Sequence, residues 1–245
     1  MTRTAIQLYT LREEDESVPD LLRHVSDAGF DGVEFAYRVR DADREAVRAA
    51  LEETGLSVVG THTNLTHLTD DVEETAELFE YLGCEDLVLS FLGEEHFASE
   101  EAVVETADLL EQLAIDLGNR GFAFHYHNHD HEFVELGETT ALERLVEVTD
   151  ERVGFELDAG LALRAGIDPV PLIRTLSGRS SLLHLKDVDV DEGGSTPLGE
   201  GDLDVEACVE AAEDAGIDWL IYEYEGEDAL ATVAPTAELL TQLLE

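Results

Sequence analysis

Six of the nine histidines in this 245-residue chain fall at the ends of short apolar runs, and carboxylates or amides stand in equivalent places. Glu34, His62 with Asn64, Ser90, the run from His125 to Glu132, Asp158, His184 with Lys186, and Glu223 with Glu225 all follow segments that read as strand cores. A single carboxylate in such a place is most often a helix cap or a solvated loop residue. Imidazoles, carboxylates and one amine gathered together are different, because such a set can hold a divalent cation and move protons. Along residues 122–133, a period of two puts His125, His127 and His129 on one face, with Asn128 and Glu132 beside them. The same alternation puts His184 and Lys186 on one face. Lys186 is the only lysine among 14 basic residues, so a chain that has almost excluded lysine is expected to keep this one for work arginine cannot do.

The elements that must position these groups are punctuated by glycine. Apolar runs at 4–9, 31–36, 56–61, 86–91, 122–126, 153–157, 181–185 and 218–222 read as eight strands. Helical patterns at 18–28, 44–54, 72–82, 102–117, 139–148, 169–176, 205–215 and 229–244 lie between them, most followed by a glycine suited to a helix C-terminus. Eight strand–helix units of roughly 31 residues each predict an α/β fold closed into a single (β/α)8 TIM barrel over 1–245, with an open doubly wound sheet as the alternative. No Gly-x-Gly-x-x-Gly or phosphate-cradling Gly-Lys-Ser/Thr follows a strand, which removes the commonest reason to prefer the open sheet. In a barrel the functional groups belong at the C-terminal strand ends, where these residues lie.

Composition narrows the function further. With 58 acidic against 14 basic residues and a net charge of −44, the chain repels phosphate backbones and anionic membranes, so neither nucleic acid nor membrane is expected as a partner. It has no run of 18 apolar residues and no apolar leader after Met1, which points to a cytoplasmic protein. Cys84 and Cys208 are far apart and read as reduced packing thiols. An acidic surface almost free of lysine suits molar salt, where a Debye length of about 3 Å screens self-repulsion, so a halophilic origin is expected.

The motifs together resemble the xylose isomerase-like barrel superfamily of sugar isomerases and epimerases, which includes hydroxypyruvate isomerase, ketose 3-epimerases and inosose dehydratase. The resemblance rests on Tyr-His-Asn-His-Asp-His-Glu-Phe at 126–133, Phe-Glu-Leu-Asp-Ala-Gly at 155–160, His-Leu-Lys-Asp at 184–187, Pro-Leu-Gly-Glu-Gly-Asp-Leu-Asp at 197–204 and Ile-Tyr-Glu at 221–223. It implies one divalent cation held by Glu132, Asp158, His184 and Glu223. The hard, oxygen-rich donor set suits Mn²⁺ first, with Mg²⁺ or Co²⁺ as alternatives. It further implies that Glu132 and Glu223 pass a proton and that Lys186 polarises a substrate oxygen. Glu34, His62, His127 and Asn128 are then expected to bind substrate. Leu161 stands where many members carry a histidine, which counts against the ketose 3-epimerase subgroup and the related abasic-site endonucleases. The expected activity is a metal-dependent isomerase or epimerase of a sugar or keto-sugar, with a dehydratase or hydratase of the inosose or keto-glycoside type as the rival and a non-catalytic sugar-binding barrel a distant third. Arginine is scarce at the strand ends, which favours an unphosphorylated substrate. Barrels of this group often pair into homo-oligomers, although the sequence isolates no apolar stripe for such an interface.

Overall fold

The protein is described by a computed structural model of residues 1–245. Eight parallel strands form the barrel: β1 (Arg3–Gln7), β2 (Gly32–Phe35), β3 (Ser57–Thr63), β4 (Asp86–Leu89), β5 (Ala123–His127), β6 (Val153–Asp158), β7 (Leu182–Leu185) and β8 (Trp219–Tyr222). Each pairs with its sequence neighbours, and β1 closes the ring by pairing β8 through Ile6↔Tyr222 and β2 through Gln7↔Glu34. The closed ring excludes the open-sheet alternative.

The principal helices are α1 (Val18–Ala28), α2 (Arg44–Thr54), α3 (Val72–Leu82), α4 (Glu100–Gly118), α5 (Ala141–Val148), α6 (Pro169–Thr175), α7 (Val205–Ala215) and α8 (Ala229–Leu243). Their starts account for part of the chain's acidity, since Asp43, Asp168 and Asp204 accept hydrogen bonds from first-turn amides of α2, α6 and α7. Thr140 and Glu143 form a reciprocal capping box on α5. This helix starts later than the periodicity predicts, because Thr139–Thr140 pairs with Glu135–Leu136 as a small hairpin.

Alternation along each strand divides the residues between two cores. Val33, Phe35, Leu87, Phe124, Phe155 and Leu183 belong to the apolar layer between strands and helices. Ala5, Val59, Val88, Leu182, Trp219 and Ile221 form a separate cluster that fills the lower lumen. Above it the inward positions turn polar.

Three departures from the sequence reading bear on the site. β3 runs on to Thr63, which carries His62 within the strand. Short helices at Leu65–Thr69 and Ala159–Arg164 follow β3 and β6 directly, the second capped by the Asp158 side chain. The stretch after β7, where the eight apolar runs place no strand, contains an antiparallel pair, Asp187–Asp189 with Gly194–Thr196.

Candidate active site

The inward-facing polar residues form a buried layer beneath an open cavity. At its centre Glu156 is fully buried, and one carboxylate oxygen lies 2.8 Å from His62 Nε2, 2.9 Å from His127 Nδ1 and 3.4 Å from His184 Nε2. Glu34, also fully buried, accepts from Gln7 Nε2 at 2.7 Å and lies 2.8 Å from His184 Nε2. Glycine makes the room: a Cβ on Gly60 would stand 2.8 Å from Glu34 Oε1. Burial and the neighbouring Glu156 charge raise the Glu34 carboxyl to about 7. Burial also raises Glu156, but the adjoining histidines outweigh it and hold that carboxylate well below the usual range.

These carboxylates set how the imidazoles face. His184 meets Glu34 through Nε2 and Glu223 through Nδ1, 2.8 Å from Glu223 Oε2. His127 is anchored to Glu156 through Nδ1, which leaves Nε2 for the other side. Ligand atoms of His127, Asp158, His184 and Glu223 all lie within 4.8 Å of one another. Asp158 donates order to its own loop, one oxygen accepting from Leu161 N at 2.8 Å, while Oδ2 is buried without any partner. Burial raises its carboxyl to about 6. Burial opposes charge on His184 as well, but Glu156, Glu223 and Glu34 reverse the effect and hold it well above an ordinary imidazole. His127 is driven by burial to about 3 and is therefore neutral. Two carboxylates, one of them with a buried oxygen left unpartnered, and two imidazoles are a donor set that fits a divalent cation.

Lys186 stands at the edge of this set. Its Nζ lies 3.6 Å from Glu223 Oε1 and is hydrogen-bonded to Glu225 Oε1. Burial disfavours its charge, yet Glu223, Asp158 and Glu225 keep its pKa above the usual lysine value, while Lys186 and His184 hold Glu223 ionised against the same burial. The backbone of Lys186 passes so close to the start of the Ala159–Arg164 helix that a Cβ on Gly160 would stand 1.8 Å from the Lys186 carbonyl oxygen. Only glycine permits that approach.

The cavity above has a volume of about 420 Å³ and opens at the C-terminal ends of the strands. His62, His127, His129, Lys186, Glu223 and Glu225 are among its lining residues. Other residues expected at the site stand elsewhere. Glu34, expected on substrate, is sealed below the cavity because its carboxylate is drawn to His184 and Gln7. Asn128 spends its amide on main chain, accepting from Asp158 N at 2.9 Å and donating to His129 O at 3.2 Å. Glu132 is fully buried and lies outside the four-residue cluster, accepting from Tyr126 Oη at 2.6 Å and His129 N at 2.9 Å. His125 shares the inward face of β5 but sits near the opposite mouth, 2.7 Å from Asp86 Oδ1. Sequence reasoning gave no role to Glu156 or Gln7. Period two from Asp158 and Ala5 would have marked both as inward, but in so acidic a chain one more glutamate carries little signal.

Comparison with known proteins gives a consistent picture. The profile of the xylose isomerase-like TIM barrel family matches residues 22–243. The chain is 24% identical to the inosose dehydratase of Geobacillus kaustophilus over 266 residues, 92% of this chain and 85% of that protein. A crystal structure of a sugar phosphate isomerase/epimerase from Parabacteroides distasonis superposes with a TM-score of 0.84 at 21% identity, covering 98% of each chain. The structure of a D-allulose 3-epimerase from Methylomonas sp. gives a TM-score of 0.73 at 15% identity, covering 99% of this chain and 98% of that one.

Proposed function

This chain belongs to the xylose isomerase-like TIM barrel family, and from that premise we propose that it is a divalent-metal-dependent isomerase or epimerase of a sugar or keto-sugar. The observation that carries the reading is the convergence of His127, Asp158, His184 and Glu223 at the floor of the cavity, with Asp158 Oδ2 unpartnered. Asp158, His184 and Glu223 would hold the cation, with His127 or Glu132 as the fourth donor. A bound Mn²⁺ or similar ion supplies Lewis-acid polarisation of a substrate carbonyl and its neighbouring hydroxyl, which acidifies the C–H between them.

Glu223 is the base this chain offers. It lines the cavity and is kept ionised by Lys186 and His184, so it can take the proton that exits as the enediolate forms. Lys186, held protonated, donates to the substrate oxygen on which negative charge grows. His62 and His127 line the floor with their other nitrogens fixed by Glu156, which orients them toward substrate hydroxyls. The resemblance implies Glu132 as the second proton carrier, a role for which its carboxylate must leave Tyr126 Oη and His129 N, the groups that hold it away from the cavity.

The similarity to an inosose dehydratase over 92% of the chain favours a second reading on the same scaffold. The C–H proton again goes to Glu223, but the electron pair expels hydroxide from the adjacent carbon, and Lys186 protonates the departing oxygen. Turnover of keto-sugars and inososes in D₂O separates the two: deuterium on a retained carbon marks an isomerase or epimerase, and loss of water marks a lyase. Full turnover by Glu223→Gln, or by protein stripped of divalent ions and supplied with EDTA, would refute both.

A further inference from the structure

The cavity inverts the charge of the molecule around it. Of the chain's 58 acidic residues only Glu223 and Glu225 line it, against Arg40, Arg164 and Lys186 out of 14 basic ones. Two of these cations are already neutralised. Lys186 is held by Glu225 and Glu223, and Arg164 pairs with Asp130 Oδ2 at 3.0 Å.

Arg40 is the exception. Nine other arginines have a carboxylate within 4.0 Å. Arg3 lies over the Trp219 ring, and Arg38 and Arg179 donate to main-chain carbonyls. Arg40 makes one hydrogen bond, to Thr75 Oγ1 at 3.1 Å, which leaves most of its five N–H donors free. Two acids border it without pairing: Glu77 is taken by Arg44 at 3.3 Å, and Glu74 stands beyond ion-pair distance. In a chain with about four acids per base, a guanidinium left without a carboxylate is not explained by packing. His67 lines the same cavity with its Nδ1 shielded and unpartnered, and burial together with the Arg40 charge lowers its pKa. The two side chains are therefore neighbours.

We propose that the Arg40–His67 corner of the cavity binds an anionic group, a phosphate ester or a carboxylate, carried by the sugar away from its reacting carbons. The proposal rests on the reading of this cavity as the substrate site, and it replaces the unphosphorylated substrate expected from the scarcity of arginine at strand ends. Arg40 escapes that argument because it lies in a separate short helical segment, Tyr37–Asp41, beyond β2. A planar fork of donors suits either anion.

Three unreactive polyols of one skeleton test it: D-glucitol, D-gluconate and D-glucitol 6-phosphate, titrated calorimetrically into the metal-free 245-residue chain at constant ionic strength. An anionic polyol is expected to bind roughly 10- to 100-fold tighter than glucitol, the range of one or two hydrogen bonds to a charged group. Whichever anion gains more identifies the group. Arg40→Ala should erase the preference, and Arg40→Lys should restore part of it with the same melting temperature as Arg40→Ala. Equal binding of all three polyols, or an unchanged preference in Arg40→Ala, would overturn the proposal. Mn²⁺ uptake measured by electron paramagnetic resonance keeps the two readings apart. A chain that takes no Mn²⁺ yet prefers anions refutes the metal-dependent reading alone, and a chain that takes Mn²⁺ without preferring anions refutes this one alone.

Discussion

Asp187→Asn is the substitution whose cost follows most directly from the structure. Asp187 is fully buried one residue after Lys186, and its carboxylate accepts four main-chain N–H groups. Val188 N at 2.9 Å and Leu203 N at 3.0 Å reach one oxygen; Gly199 N at 2.8 Å and Gly201 N at 3.0 Å reach the other. The amides of Gly199, Gly201 and Leu203 thus converge on one side chain at the end of β7, alongside the main-chain pairing of Asp187–Asp189 with Gly194–Thr196 and the Asp202 N to Val188 O bond. Asparagine keeps the shape and one accepting oxygen, but its NH₂ must face two N–H donors, which removes two charge-assisted bonds. At about 1.5–3 kcal/mol each, the loss is about 3–6 kcal/mol, a large share of the roughly 5–15 kcal/mol that holds a typical domain folded. If the segment 187–203 opens locally before the barrel does, the global loss is smaller and the amides of Gly199, Gly201 and Leu203 lose their protection instead. The loosening reaches the cavity as well, because Ser195 in the hairpin accepts from Glu225 N at 3.2 Å and Glu225 holds Lys186. Urea unfolding and amide hydrogen exchange of the two proteins at one salt concentration measure both outcomes. A stability loss below about 1 kcal/mol with unchanged exchange at those three amides would refute the reasoning.

Further outcomes follow from the same geometry. Glu156→Gln removes the charge shared by three imidazoles and should cost about 3–5 kcal/mol in urea unfolding, the usual cost of breaking a buried ion pair; a loss under about 1 kcal/mol would mean the histidines repack without it. Gly160→Ala places a methyl carbon where the Lys186 carbonyl already stands, so the melting temperature should fall by more than ordinary overpacking of about 1–3 kcal/mol produces, and an unchanged melt would contradict the close approach. With a net charge of −44, the circular dichroism melt should move up strongly between 0.1 M and 3 M KCl, and identical melts would show that salt screening is not what stabilises the surface.

How much of the site was legible depended on how each residue is placed. Asp158, His184 and Glu223 end consecutive strands, so local alternation and the strand–helix count were enough to aim them at one mouth. The helix limits at 18–28, 44–54, 72–82 and 205–215 were legible for a similar reason, since caps and glycines sit next to the turns they terminate. Glu34 and Asn128 were legible as inward or strand-end residues but not by partner, because their partners come from strands distant in the chain: His184 is 150 positions from Glu34.

What the chain determined by itself is therefore the architecture and the kind of chemistry: an eight-fold strand–helix alternation that closes, and a ring of imidazoles and carboxylates at the strand ends. Tertiary structure decided which of those groups stand together, sealing Glu34 and Glu156 below His184 and His127, turning Glu132 toward Tyr126, and bringing Arg40 to the cavity without a carboxylate. The physical reason is that alternation is a local property of each strand, whereas the depth of a side chain in the lumen and the identity of its neighbours depend on strand register, which is fixed only when the barrel closes.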